Sequence, residues 1–419
     1  MRVRVAVMVP ALALAVSAVC LVCLDARRSA LAATATAAAP NGCEFPTTEA
    51  GSPAETAWRL FVAANCTAKG KQLVWETWTE QANVYPASGA PAHLLARRLH
   101  GSPLALATMA KKAGLAAAGL PSSDCNSMNG PPGNVTKTTI CEEVYLDPQA
   151  KQFVLREGFE FRPGQTKAAK AGNTVTFPTA AVEVKVDWIP GTDFTPAFTC
   201  DNPPKGVHVE RIGGTCYAMA GMHIISKLAP NWIWATFEPQ STLTNPNRCV
   251  TFGQCDDPWG SVPPTSTGAS TNQSPPLKAL MQSAHLAPEF YNYRMDGVQT
   301  EFGTAANPTY LGNSIIEGEN VGMKKNTASC ITCHSVSTIQ NTGTDGINTL
   351  ASMPTPPVGP EYAPLQGWIA RDFVWSLGLA CPNGPTPPPN QIGSMQTCAS
   401  APSAKTKTPK TPKSKQTGR

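Results

Sequence analysis

The chain has 419 residues, with 33 Lys and Arg, 28 Asp and Glu, and a formal charge of +5. That charge is concentrated at the ends: subtracting +3 for the first forty residues and +6 for the last thirty-six leaves the body at −4, which excludes a nucleic-acid binder. Fourteen cysteines in a chain with 40 prolines and 33 glycines point to an oxidising compartment.

Residues 1–33 read as an export signal. Arg2 and Arg4 precede an apolar run over 5–24, and Ala30-Leu31-Ala32 and Ala33-Thr34-Ala35 supply the small residues a signal peptidase needs. The run is nearly long enough to span a bilayer, so a retained membrane anchor is the alternative. Cys20 and Cys23 lie inside it without a good lipobox.

A sheet-containing α+β domain with flanking helices is expected over 40–245. Residues 56–64 place apolar side chains on one helical face, and 73–78 continue the core. The Ala-, Leu- and Lys-rich stretch 92–118 predicts short helices broken at Gly101-Ser102-Pro103, with His93 and His100 as surface or packing residues. The period then changes to two. Residues 174–177 and 182–188 alternate, with Val182, Val184, Val186 and Trp188 inward and Glu183, Lys185 and Asp187 on a solvated face. Residues 216–226 and 232–238 read as an antiparallel pair turning at Ala229-Pro230-Asn231. Glu76 and Glu238 flank such runs as Glu183 and Asp187 do, and the tryptophans among them suit packing. A Pro-, Ser- and Thr-rich linker is expected over 246–274.

Residues 275–383 predict a small all-α domain. One helix spans 275–285, and a second opens at Asn307-Pro308 and runs to about 320. A third spans 365–380, with apolar Leu365, Ile369, Phe373 and Leu377, and stops at the breakers Cys381-Pro382-Asn383-Gly384. The basic tail 384–419 lacks any apolar period and is expected to be disordered.

Between the second and third of these helices lies Cys330-Ile331-Thr332-Cys333-His334. Two thiols with two residues between them can attack both vinyl groups of a haem, and the following histidine then falls under the iron. Chance yields such a pentapeptide on the order of 0.01 times in a chain of this composition. A redox disulfide would usually open a helix in a β-α-β unit, and a zinc site would need a second Cys/His pair. Cys330, Cys333 and His334 are therefore assigned to one covalent haem c. The ten cysteines outside leader and motif fall into five sequence-adjacent pairs: Cys43 with Cys66, Cys125 with Cys141, Cys200 with Cys216, Cys249 with Cys255, and Cys381 with Cys398. Each bridge would contribute about 2–4 kcal/mol.

The sixth iron ligand decides between electron transfer and ligand chemistry. Met353, on the loop before the third helix, is the leading candidate. His223, on a predicted strand, is the alternative if the haem faces the sheet. Met295, Met323 and His285 rank below them, and a five-coordinate iron stays open.

Residues 57–64, 74–78, 182–188, 221–224, 232–238, 313–317, the pentapeptide and Asp372-Phe373 together resemble a family of exported bacterial proteins described only as cytochrome c family proteins. Members often carry His after Trp-Ala-Thr-Phe-Glu, where this chain has Pro239. The resemblance implies one haem and export, and brings no substrate. The order helix, haem motif, Met-Pro loop, helix resembles a class I cytochrome c domain. The expected function is a periplasmic or secreted monohaem electron carrier rather than a catalyst, serving an unidentified redox partner protein, with the enzyme question left open. The alternatives are a haem-dependent oxidoreductase whose large domain binds substrate, and a haem-based sensor or binding module.

Overall fold

A computed structural model describes residues 42–68, 72–85, 125–127, 139–212, 214–240, 249, 254–268, 270–320, 328–346, 359 and 368–380. The expected signal segment, the 92–118 helices, the 384–419 tail, Met323, Met353, Cys381 and Cys398 lie outside these residues.

Helix α1 (Pro53–Asn65) contains the apolar face expected over 56–64 and begins three residues before it. The Ser52 hydroxyl accepts from Glu55 N at 3.1 Å, Pro53 fills the first turn, and ten of the 13 residues are buried. A helix so enclosed must lie under something. It lies on one face of an eight-stranded antiparallel sheet built from β1 (Thr79–Glu80), β2 (Cys125–Ser127), β3 (Thr139–Leu146), β4 (Val182–Pro190), β5 (Val209–Ile212), β6 (Thr215–Ser226), β7 (Ile233–Pro239) and β12 (Tyr293–Gln299). The path runs β1-β3-β4-β6-β7-β12, with β2 on β3 and β5 on β6. β8 (Cys255–Asp256) pairs with β10 (Thr265–Ser266), and β9 (Ser261–Val262) with β11 (Asn272–Gln273). Helices α2 (Gln81–Val84), α3 (Pro148–Glu157), α4 (Arg162–Lys170) and α5 (Pro275–Ser283) surround it.

Alternation along each strand gives the sheet two packed faces, and the two largest of its three apolar clusters lie on opposite sides. Val182, Val184, Val186, Trp188, Met222, Ile224, Ala235 and Phe237 point toward α1 and α5. Ile225, Trp234 and Leu146 point the other way, into a cluster with Phe153, Phe177, Cys330, Ile331, Val374 and Leu377. The polar side of β4 is therefore covered too: Glu183 and Asp187 are buried at 8% and 0% exposure and Lys185 is half-buried, which corrects the solvated face expected for them, and Glu238 of β7 is buried as well. The cover is the chain's C-terminal part, invisible to a count of alternation within one strand.

A separate all-α unit over 275–383 is not seen among the described residues. β12 is an integral strand of the sheet, paired with β7. The helix expected over 365–380 is instead β14 (Ile369–Ala370), a turn, and a 3-10 helix, Trp375–Leu379; β14 pairs with β13 (Thr338–Ile339). Asp372 and Phe373 adopt left-handed φ of 52° and 67°, which no α-helix accommodates. Nor does a helix open at Asn307: the turn there gives way to a π-helix, Ser314–Asn320. Residues 174–177 form no strand, though Val175 N does donate to Ala370 O. The expected linker is partly a packed cover, because Asp257 accepts from Trp58 Nε1 at 3.0 Å, from Gly260 N and from the Ser261 hydroxyl.

Three of the sequence-adjacent disulfides are present: Cys43–Cys66, Cys200–Cys216 and Cys249–Cys255. Cys141 is also disulfide-bonded, and the β2–β3 register sets Cys125 opposite it. Such bridges fit an extracellular or periplasmic setting. Among the described residues, no helix is long and apolar enough to cross a membrane.

Candidate functional site

The pentapeptide forms a one-turn helix, α6 (Cys330–His334), capped by Ser329. Positions three and four apart share a helical face, so Cys330, Cys333 and His334 point to one side. The turn is fixed from β12: Gln299 Oε1 accepts from Ile331 N at 3.3 Å, and its amide nitrogen donates to the Ser329 hydroxyl. Neither Cys330 nor Cys333 is in a disulfide. Burial pushes both thiols up, Cys333 to about 12, and the nearby Glu317 carboxylate adds to the effect.

His334 is held on three sides. Its ring stacks on Trp375 at 4.7 Å between centroids and meets Trp234 at 4.6 Å. Nδ1 lies 2.9 Å from Phe373 O. A carbonyl only accepts, so Nδ1 carries the proton and Nε2 keeps its lone pair. Burial holds the imidazole down to about 3, hence neutral, the form that binds metals.

The Phe373 carbonyl is aimed by the left-handed Asp372-Phe373 turn. Such a conformation costs non-glycine residues about 1–2 kcal/mol each, so its surroundings must hold it. Asp372 does much of this: Oδ1 accepts from Lys227 Nζ at 2.6 Å and Oδ2 from Phe177 N at 2.7 Å. Arg371 N donates to Ser337 O, and the Ser337 hydroxyl to Val374 O.

Facing the motif is the second face of the sheet. Strand register sets Glu142, Asp187 and Gly221 in one row, and Val144, Lys185, His223 and Thr236 in the next. A bulge beside Asp187 shifts β6 against β4, a common device for re-aiming side chains next to a site. Lys185 Nζ pairs with Glu142 at 2.7 Å. His223 Nε2 is buried and makes a long contact of 3.4 Å to Glu317 Oε2. Both Asp187 oxygens lack a hydrogen-bond partner; burial, then Glu142, raises this acid well above the usual carboxylate range. Lys185 and Glu317 act electrostatically on His334, so this sheet face and the motif are neighbours.

Asn313 pins the π-helix over this face. Its amide nitrogen donates to Thr236 Oγ1 at 2.8 Å and Phe237 O at 3.3 Å, while Oδ1 accepts from Ile315 N and Ile316 N. Ser314 donates through N and Oγ to Glu238. Gly221 makes room: a Cβ there would stand 2.9 Å from Asn313 Oδ1. Short π-helical segments recur at functional sites.

No family model matches the chain, nor does any curated protein or solved structure.

Of the sequence-derived candidates, the structure thus brings together Cys330, Cys333, His334 and His223. Met295 is in the opposite core with α1, and His285 is exposed beyond α5, so neither joins the motif. Glu142, Lys185, Asp187, Gln299, Asn313 and Glu317 were not assigned to the site from sequence, because no spacing among them points to a shared chemistry. The signal available was charge embedded in the valine-rich β4.

Two other clusters lie apart from the motif. Cys249, Cys255 and Asp296 have metal-like spacing, but the two sulfurs are bonded to each other. His208 sits between Glu210 (3.1 Å) and Glu289 (3.2 Å), beside a groove of about 750 Å³ lined by residues including Lys205, Glu289 and Tyr291. Burial disfavours the charged ring, but its two carboxylate hydrogen bonds prevail and push it up to about 9. A raised pKa means stability fully present below the unfolded value near 6.5 and lost as pH rises through 9. Urea unfolding is expected to show a loss of roughly 3 kcal/mol across that window, and His208→Gln to flatten it.

Proposed function

We propose that this protein is an exported one-electron carrier, a c-type cytochrome whose single haem is held by thioethers from Cys330 and Cys333 and by His334 on iron. One observation carries the reading: the His334 hydrogen bond to Phe373 O fixes the tautomer in which Nε2 is free to ligate. The donor set fits, since two unbridged thiols and a neutral imidazole share one face of α6. When bound, the haem supplies the redox couple. The chain's own residues orient the ligand: Trp375 and Trp234 fix its plane, and the Phe373 carbonyl raises its basicity.

Met353, expected to complete the iron's ligands, lies outside the described residues; among the described candidates, His223 is the residue that would help hold the group. Its Nε2 is buried on the sheet face that looks toward the motif, where its contact is the long one of 3.4 Å to Glu317 Oε2. A partner redox protein outside the cytoplasm completes the role, in line with the disulfides. The buried, unpartnered Asp187 favours a second reading, an oxidoreductase that uses it as a proton donor.

Spectroscopy of chain matured in a cytochrome c-competent host tests this. The ferrous protein is expected to carry haem through denaturation and to resist CO, and His223→Ala to bind CO rapidly. Parent protein that carries no covalent haem would refute the carrier, and rapid CO binding by the parent would favour the oxidoreductase.

A further inference from the structure

We propose that Asp372 and Lys227 are positioning residues for the His334 ligand: as a buried pair they hold the left-handed turn that aims the Phe373 carbonyl at Nδ1, and so tune the iron's redox balance. The inference rests on the proposed haem reading and extends it to residues that do not touch the motif themselves.

Three observations converge on the pair. Asp372 and Phe373 are consecutive non-glycine residues at φ 52° and 67°, a conformation that persists only when neighbours impose it. The constraint comes from Asp372, whose two oxygens are used separately, one by Lys227 and one by Phe177 N. Lys227 in turn binds the hairpin between β6 and β7, donating to Pro230 O at 2.6 Å and lying 5.9 Å from the Trp232 ring centre. Side-chain exposures of 12% and 7% leave the pair only limited contact with solvent. The hairpin that ends in Trp234, one wall of the His334 cage, and the turn that supplies the carbonyl are thus bound by one ion pair.

A proton drawn toward Phe373 O makes the imidazole a stronger donor and favours ferric iron. Loosening the turn weakens that pull. In Asp372→Asn, the ferric-to-ferrous ratio at a fixed poise is expected to fall about tenfold, which is an upward shift of about 59 mV for a one-electron couple. Lys227→Met should give the same shift, and the double variant no more than either alone. Asp257→Asn, a buried carboxylate on the far side of the sheet, provides the control for destabilisation and should leave the potential unmoved. An unchanged potential in haem-loaded Asp372→Asn, or additive shifts in the double variant, overturns the proposal.

The unloaded full chain answers separately. Nitrogen NMR of its imidazoles should find His334 as the single Nδ1-protonated tautomer in the parent and as a mixture in Asp372→Asn. A mixture already in the parent overturns the positioning role even if haem binds. A parent that shows the single tautomer but takes up no haem refutes the cytochrome instead.

Discussion

With alanine at both Cys330 and Cys333, the chain is expected to emerge colourless from a host that matures c-type cytochromes. The effect is all or none, because the thioethers are the only covalent link proposed between haem and chain. Denaturing electrophoresis followed by a peroxidase stain, with intact mass, reads it directly: parent protein stained and heavier by one haem, double variant neither. Each single variant should retain haem through the remaining thioether at lower yield. The fold should survive, since the sulfurs make no disulfide and a small buried side chain shortened by one atom costs about 1 kcal/mol. Covalent haem in the double variant would defeat the assignment, and so would an unstained parent.

The largest loss of stability is expected from Asn313→Ala. This side chain is fully buried and makes four hydrogen bonds, two as donor to β7 and two as acceptor from the first turn of the π-helix. Truncation leaves the amides of Ile315 and Ile316 without that acceptor in a site closed to water, where each lost partner costs about 1–3 kcal/mol. A decrease of about 3–5 kcal/mol in urea unfolding follows. Gly221→Ala should also destabilise, by about 1–3 kcal/mol, because its new methyl meets an anchored Asn313 oxygen. Combined, the two changes should cost less than their sum, as the methyl then fills space the amide has vacated. Strict additivity would mean that Gly221 is not there to admit Asn313.

Sequence carried the elements whose cause is local. The apolar face over 56–64 locates α1, alternation defines β4, and Ala229-Pro230-Asn231 defines the hairpin of β6 and β7. Adjacent cysteines pair because the loops they close are short. What escaped was set by distant contacts. Leu365, Ile369, Phe373 and Leu377 have helical spacing, yet Asp372 has better partners in Lys227 and Phe177 than a helix would offer it, and the chain turns to meet them. Asn307-Pro308 resembles a helix start, but the nearer side chain able to cap two amides is Asn313. The pentapeptide was legible at once because its chemistry depends on spacing alone. Its surroundings were not, since Glu142, Lys185, His223 and Glu317 come from three strands and a π-helix that only folding brings together.

Cys330 is only 7% exposed in the finished fold, its sulfur directed at Leu311 O. On the cytochrome reading this sets a schedule for biogenesis. An attachment enzyme would have to reach that sulfur before segments 328–346 and 368–380 settle on the sheet, so loading would precede closure.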